Sequence, residues 1–216
     1  VIGITTYDLQ SNASIQNRII LHDDGKISAG WTMSQEYNNS YIDRGTGYNY
    51  FDGFEWMDMP TSRVEEGRTG WPSIMLLDDG RERITAHESG TGGFISSTNA
   101  SKGSSSFTST GPVLDDKSVV NVDRVPIWNR SVATNGKVHT ISNYWASEDA
   151  GIDVVTRNGI SSPTSYSRWD VVGDTADVVH ILLPGYDSSL YTTGGGDGYA
   201  IDARDSTVAI LIGGLG

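Results

Sequence analysis

Ser73-Ile74-Met75-Leu76-Leu77, then Asp78-Asp79-Gly80, then Arg81-Glu82-Arg83-Ile84-Thr85-Ala86-His87 reads as an apolar strand, a tight turn and a returning strand. The same hairpin stands on either side of it. Upstream, Arg18-Ile19-Ile20-Leu21 runs through Asp23-Asp24-Gly25 into Lys26 to Trp31. Downstream, Arg130-Ser131-Val132-Ala133 runs through Thr134-Asn135-Gly136 into Lys137 to Ile141. From Gly25 to Gly80 is 55 residues and from Gly80 to Gly136 is 56. A period of that length, filled with short strands, predicts the four-stranded blades of a β-propeller.

A fourth copy, Tyr199 to Ala203, Arg204-Asp205-Ser206, Thr207 to Ile212, comes late because Gly185 to Gly198 reads as an insertion. The expectation is one all-β domain of about three complete blades plus the inner half of a fourth, with blades near 13–60, 67–112, 123–175 and 177–216. Residues 1–8, a β-branched run, are placed to close a ring by adding to a last blade. A half blade leaves strand edges and apolar surface in water. The expected partners therefore include the remaining blades of a longer chain, or another chain that completes the propeller.

Within the first repeat, Ile27, Ala29, Trp31 and Met33 alternate with Ser28, Gly30, Thr32 and Ser34, which predicts a strand with one apolar face. Tyr48 to Phe51, Asp52-Gly53 and Phe54 to Trp56 read as its outer hairpin. The second outer pair is Gly93 to Ser97 with Ser105 to Ser109, and the third is Ile152 to Thr156 with Ser167 to Val172, followed by an extra strand, Asp177 to Leu183.

The 216 residues carry a formal net charge of −12 with scattered basic side chains, which argues against nucleic acid and anionic membranes as partners. No apolar run approaches a membrane span. The absence of Cys excludes disulfides, thiolate metal sites and thiol nucleophiles. The start at Val1 fits a processed or trimmed protein.

Arg68-Thr69-Gly70-Trp71-Pro72-Ser73-Ile74 and Arg124-Val125-Pro126-Ile127-Trp128 each place an Arg twelve residues before a turn glycine. With these clusters the chain resembles the sialidase-like, or BNR-repeat, propeller superfamily, and more closely secreted bacterial propellers whose blades open on Arg, Trp and Pro. That family's Asp box, Ser-x-Asp-x-Gly-x-Thr-Trp, is degenerate here: before Trp56 its Ser, Asp and Gly places hold Asn49, Phe51 and Gly53, and before Trp169 they hold Ser162, Thr164 and Tyr166. The resemblance implies the propeller more than the catalytic branch. In a sialidase-like enzyme three arginines converge on a substrate carboxylate, a Tyr and Glu pair is the nucleophile and an Asp is the acid/base. The resemblance would assign the carboxylate to Arg18, Arg68 and Arg124. Arginine suits such a role because its planar fork meets a carboxylate with two parallel hydrogen bonds. Repeat-equivalent arginines are more simply structural.

No spacing selects a nucleophile among Tyr144, Tyr166, Tyr186 and Tyr191 or a partner between Glu88 and Glu148. The pairs Asp23-Asp24, Asp78-Asp79 and Asp115-Asp116 are turn formers without the alternate spacing of a calcium loop, and nothing supports calcium at Asp187, Asp197 and Asp202, so no cofactor or metal is expected. His22, His87, His139 and His180 are expected on strand surfaces. Trp71, Trp128, Trp31 and Trp145 fall at the ends of inner strands, where blade loops gather, and a Trp face stacks on sugars. The sequence thus points to a non-catalytic, secreted or cell-surface binding or scaffold module for a glycan or protein, with Arg18, Arg68, Arg124, Trp71 and Trp128 as candidate ligand-binding residues. The alternative is a sialidase-like glycoside hydrolase.

Overall fold

The computed structural model describes residues 1–216 apart from 12–13, 89–92, 114–123, 147–155, 158, 174, 195, 197 and 214–216, and describes only the backbone at 112, 124–125, 145–146 and 156–157. It is all-β, with no helix among the described residues. Among the described residues no helix is long and apolar enough to cross a membrane. The strands form successive antiparallel sheets in a propeller-like order.

The first sheet holds β1 (Ile19–Leu21), β2 (Ile27–Met33) and β3 (Gly45–Phe51) in the order 1-2-3. The second holds β4 (Thr69–Leu76), β5 (Glu82–Glu88), β6 (Phe94–Asn99) and β7 (Phe107–Val113), also in chain order. After β8 (Arg124–Thr134) and β9 (Lys137–Ala146) comes a small hairpin of β10 (Thr156–Arg157) and β11 (Ile160–Ser161), then β12 (Thr164–Asp170) and β13 (Ala176–Ile181). The third sheet runs β8-β9-β12-β13. A last pair, β14 (Tyr199–Arg204) and β15 (Thr207–Ile212), stands as two strands, and the described strands close no ring.

The tight turns of the first three hairpins form where the sequence places them, because Gly25, Gly80 and Gly136 take φ of 79°, 82° and 68°, a region that glycine enters without steric cost. Two expectations about strand order change. The first sheet has three strands rather than four: Trp56 makes a single bridge to Phe51, and the chain then leaves the edge. Farther along that edge the Thr46 N–H is bonded by the Glu65 carboxylate (2.8 Å) instead of by a strand. In the third sheet the expected fourth strand, Ser167 to Val172, is mostly β12 and stands third. The expected extra strand is β13, paired to β12 through Tyr166↔Ile181 and Trp169↔Ala176. Residues 152–155 lie outside the described residues. Residues 1–8 carry no strand and bond to the first sheet: Thr6 N–H donates to Ser34 O (2.9 Å) and Asn49 Nδ2 to Ile2 O (2.6 Å).

The core lies between sheets. Ile20, Tyr48 and Tyr50 meet Ile74 and Ile84; Met75, Leu77, Phe94 and Val113 meet Val138 and Trp169; Val132 and Ile141 meet Tyr199 and Ile201. Because neighbours cover both faces of an inner strand, its polar face is buried too. Ser28 and Thr32 are fully buried, so β2 does not have the water-facing side its alternation suggested. The four histidines are corrected for the same reason: His22, His87, His139 and His180 are all buried, none on a strand surface. Each packs on an aromatic ring, respectively Tyr50, Trp71, Tyr166 and Tyr144. Polar contacts cross the sheet boundaries as well, with Asn129 Nδ2 donating to Thr85 O (2.9 Å) and Tyr199 Oη to Trp128 O (2.6 Å).

Candidate functional site

The strands alternate in direction, so the starts of β4 and β8 and the ends of β2, β5 and β9 share one face, opposite the tight turns. Trp71 and Trp128 sit on that side, each within a bulge, where β4 slips against β5 between Gly70 and Ser73 and β8 slips against β9 between Ile127 and Arg130. Both take a left-handed backbone, φ 51° and 54°, which is strained for a bulky residue and is held by the surrounding ladder. The repetition makes the bulge part of the sheet design. Counted from the bulge, Trp128 matches Trp71 and Arg124 matches Gly67, so Arg124 falls one residue short of the position of Arg68. The Arg124 and Trp145 side chains, and all of Glu148, lie outside the described residues.

What gathers around Trp71 is particular to this place. Its ring stacks on His87 at 5.1 Å between centroids and 19° between planes. The Arg44 guanidinium lies 5.3 Å from the Trp71 centroid, within cation–π range. Arg44 Nε donates to Thr69 O (2.8 Å), and Gly70 leaves it room: a Cβ there would stand 3.2 Å from the guanidinium. Arg68 is half-buried, donates from Nε to Tyr41 O (3.0 Å) and forms no ion pair with a described carboxylate. Arg130 reaches in from the third sheet, with Nη1 on Trp128 O (2.9 Å) and its guanidinium 5.2 Å from the Tyr199 centroid.

His87 registers this crowd of charge. Burial first, then the guanidiniums of Arg44, Arg130 and Arg68, hold it down to about 3, so it is neutral at pH 7. Its Nδ1 accepts the Trp128 N–H (3.2 Å), which fixes the proton on Nε2. Beside it the buried Trp71 Nε1 has no hydrogen-bond partner among the described residues. One orphaned N–H donor and several guanidiniums thus converge. An orphaned buried donor calls for an explanation, most simply a ligand or water that accepts from it.

Of the residues expected from sequence, Arg68, Trp71 and Trp128 belong to this cluster. Arg18 has its own partners: its Nη2 donates to Gln10 O (2.6 Å) and Gln16 Oε1 (3.0 Å), and burial, with Arg130 adding to it, lowers it to about 10. Trp31 is not in the mouth; it is wedged between Gly3 and Gly47. Arg44, His87 and Arg130 were missed. For Arg130 a signal existed, since it and Arg18 open equivalent hairpins; Arg44 and His87 carry no local mark.

Among the described residues the tyrosines read from the sequence meet other partners. Tyr166 bonds His139, Tyr144 packs on His180, and Tyr186 packs on Tyr191. Tyr48 does bond a Glu, donating from Oη to Glu82 Oε2 (2.5 Å), and burial and that carboxylate raise the phenol far above its usual range. Glu82 is fully buried and also accepts from His22 Nε2 (3.0 Å), Ser28 and Asn99 Nδ2 (2.6 Å). His22 meets Ser28 and Glu82 through the same nitrogen, so it cannot relay a proton between them as a triad histidine does. Five residues of strand separate Glu82 from His87, about 17 Å. The Tyr–Glu pair and the arginines therefore occupy opposite ends of the sheet.

A cleft of about 890 Å³ lies beside Trp56, Met57 and Phe107 and contains none of the expected residues. Among the described residues no three His, Asp or Glu side chains gather as metal ligands.

The sequence matches no family model and no curated protein. Among solved structures, the chain is similar to a polysaccharide lyase, an ulvan lyase, at 10% identity and a TM-score of 0.47, over 77% of this chain and 41% of that one. It is similar to a xylan β-1,4-xylosidase from Bacillus halodurans at 13% identity and a TM-score of 0.48, over 82% and 37%. A GH130-family structure, described with glycoside hydrolases that target β-1,2 mannosidic linkages in Candida mannan, gives 14% identity and a TM-score of 0.38, over 94% and 84%. The chain spans less than half the length of the first two, and at these scores the site rests on its own geometry alone.

Proposed function

We propose that this chain is a non-catalytic binding module for an acidic glycan, one bearing carboxylate or sulfate, taken at the face that carries Trp71 and Arg68. The observation that carries the reading is the convergence of Arg44, Arg68 and Arg130 on a neutral His87 beside the unpartnered Trp71 N–H, in a chain whose net charge is −12. Guanidiniums brought together against their own repulsion are stabilised by an anion that bonds several of them. The half-buried Trp128 ring at the same place offers a surface for a sugar. A protein surface bearing acidic side chains would offer the same charge, but not the ring that stacks on Trp.

The three larger sheets and the β14–β15 pair are read as successive blades of a larger ring. The outer edge of β15 has no strand partner among the described residues, and Ile19, Leu21 and Leu211 are each more than 60% exposed. Strands from elsewhere in a longer chain, or from another chain, would pair with that edge. Secretion or cell-surface display fits the extracellular setting of polyanionic glycans, and is part of the proposal.

The test is affinity electrophoresis of the protein in gels containing alginate, a sulfated galactan, or neutral xylan. Retardation is expected in the two acidic gels, weakened about tenfold or more by Arg68→Ala, since a charge-assisted contact is worth roughly 1.5–3 kcal/mol. Equal retardation by xylan would remove the anionic reading, and release of reducing ends would remove the non-catalytic one.

A further inference from the structure

Anything that enters the arginine mouth meets Tyr7. Its side chain is buried at 8% exposure, although it belongs to a segment without regular structure. The Tyr7 ring stands edge-on to Tyr41 (5.0 Å, 89°) and to Trp71 (6.0 Å, 81°), and the Arg44 guanidinium is 5.1 Å from its centroid. Arg44 Nη1 donates to Tyr7 Oη (3.2 Å). A neutral phenol oxygen is therefore an acceptor for a guanidinium in a site built for an anion.

The rest of the segment is held mainly by polar contacts with the open end of β2. Thr5 Oγ1 donates to Thr32 O (3.1 Å), Gln10 Nε2 donates to the same carbonyl (2.8 Å), and the Thr32 N–H donates to Gln10 Oε1 (3.0 Å). Gly3 rests on the Trp31 ring. Val1 is 94% exposed and Ile4 66%, so little apolar burial secures the segment apart from Tyr7 itself.

Resting on the acidic-glycan reading, we propose that Tyr7 is an internal competitor of the ligand: it occupies the place on Arg44 and Trp71 that the anionic group of the ligand takes, and it must be displaced before a ligand is seated there. The physical basis is a competition. A carboxylate or sulfate bonds a guanidinium about twice as strongly as a neutral oxygen does, and can do so with two parallel bonds, so it displaces the phenol. A neutral sugar offers Arg44 only another hydroxyl, no better than the one already there, and bears the same cost of moving the segment. The closed population lowers every apparent affinity by the same factor, so Tyr7 sets how tightly the site binds and leaves the acidic-to-neutral ratio to the open site.

The experiment is calorimetric titration of the wild-type protein, Tyr7→Phe, Tyr7→Ala and the double variant Thr5→Val/Gln10→Ala with hexagalacturonate and with xylohexaose. Circular dichroism and melting temperature establish that each variant is folded. Tyr7→Phe, which keeps the ring and removes the oxygen that accepts from Arg44 Nη1, tightens hexagalacturonate a few-fold. Tyr7→Ala opens the place to both sugars, so that each binds about tenfold more tightly and their ratio stays the same. The Thr5/Gln10 variant also removes the bonds that Thr5 Oγ1 accepts from Tyr7 N–H (3.1 Å) and that Gln10 Nε2 donates to Tyr7 O (2.8 Å); it loosens the segment with the Tyr7 side chain intact and tightens both sugars by a smaller factor. A hexagalacturonate affinity that is the same in wild type and all variants overturns the role of Tyr7 and leaves the acidic-glycan reading standing. Weaker binding of both sugars by Tyr7→Ala also overturns it, since Tyr7 is then a wall of the sugar site. No hexagalacturonate binding by any form overturns both.

Discussion

Acidification gives the most direct measure of the charge gathered around His87. An unfolded histidine has its ordinary value near 6.5, whereas the folded His87 is held to about 3 by burial and by Arg44, Arg130 and Arg68. Between those two values the unfolded chain binds a proton that the fold refuses. The contribution of neutral His87 is therefore whole above pH 6.5 and is lost as pH falls towards the folded value. From pH 7 to pH 5 the loss spans nearly one and a half pH units, or about 2 kcal/mol at 1.36 kcal/mol per unit. For a chain of this size that is about 4–8 °C in melting temperature. The assay is urea unfolding at pH 7, 6 and 5 of the wild type and of His87→Asn. Asn offers an oxygen to the Trp128 N–H that now goes to His87 Nδ1, and it does not titrate. Other buried groups, including His139, which burial also lowers, titrate alike in both proteins and cancel in the difference. The variant is less stable at pH 7 through lost stacking on Trp71, but its curve is flatter by about 2 kcal/mol over the interval. Parallel pH curves for the two proteins would refute the reasoning, because His87 would then be free to protonate in the fold and the arginines would not converge on it.

Two further outcomes concern the frame that holds the mouth. Glu82→Ala leaves Tyr48, His22 and Asn99 without their shared acceptor in a fully buried place, and urea denaturation should show a loss of about 3–5 kcal/mol; a loss below 1 kcal/mol would mean the carboxylate is not their hub. Gly47→Ala would put a Cβ 2.4 Å from the Trp31 ring, which Gly3 confines on the other side. Overpacking of about 1–3 kcal/mol is expected, with faster hydrogen exchange in residues 1–10 as the ring pushes against the segment that carries Tyr7; unchanged exchange there would show that Trp31 does not seat it.

The repeat was legible because it is written in local chemistry. An apolar strand, a turn that needs a left-handed glycine and a second strand must be neighbours in sequence, so Gly25, Gly80 and Gly136 mark the hairpins without any tertiary information. The first sheet's missing strand was harder to see, because the hairpin signal around Asp52-Gly53 is present and only the competing Glu65 bond to the β3 edge shows that pairing stops at one bridge. The burial of the histidines was not legible either. Alternation tells one face of a strand from the other, but not that a neighbouring sheet covers the polar face as well.

The candidate site divides along the same line. Arg68, Trp71 and Trp128 were found because the repeat singles them out, and Arg124 was grouped with Arg68 because both were counted from a turn glycine, a count that ignores that the turn after β4 is one residue longer than the turn after β8. Arg44 stands 24 residues before Arg68, 43 before His87 and 86 before Arg130, and Tyr7 stands further upstream still. By itself the sequence determined the strands, their turns and their period, since these follow from backbone preferences and from side-chain alternation over a few residues. Only the tertiary structure decided which arginines meet, which histidine they hold neutral and which tyrosine stands before them, since convergence at a sheet end is set by the packing of separate sheets, a relation between segments that no local pattern encodes.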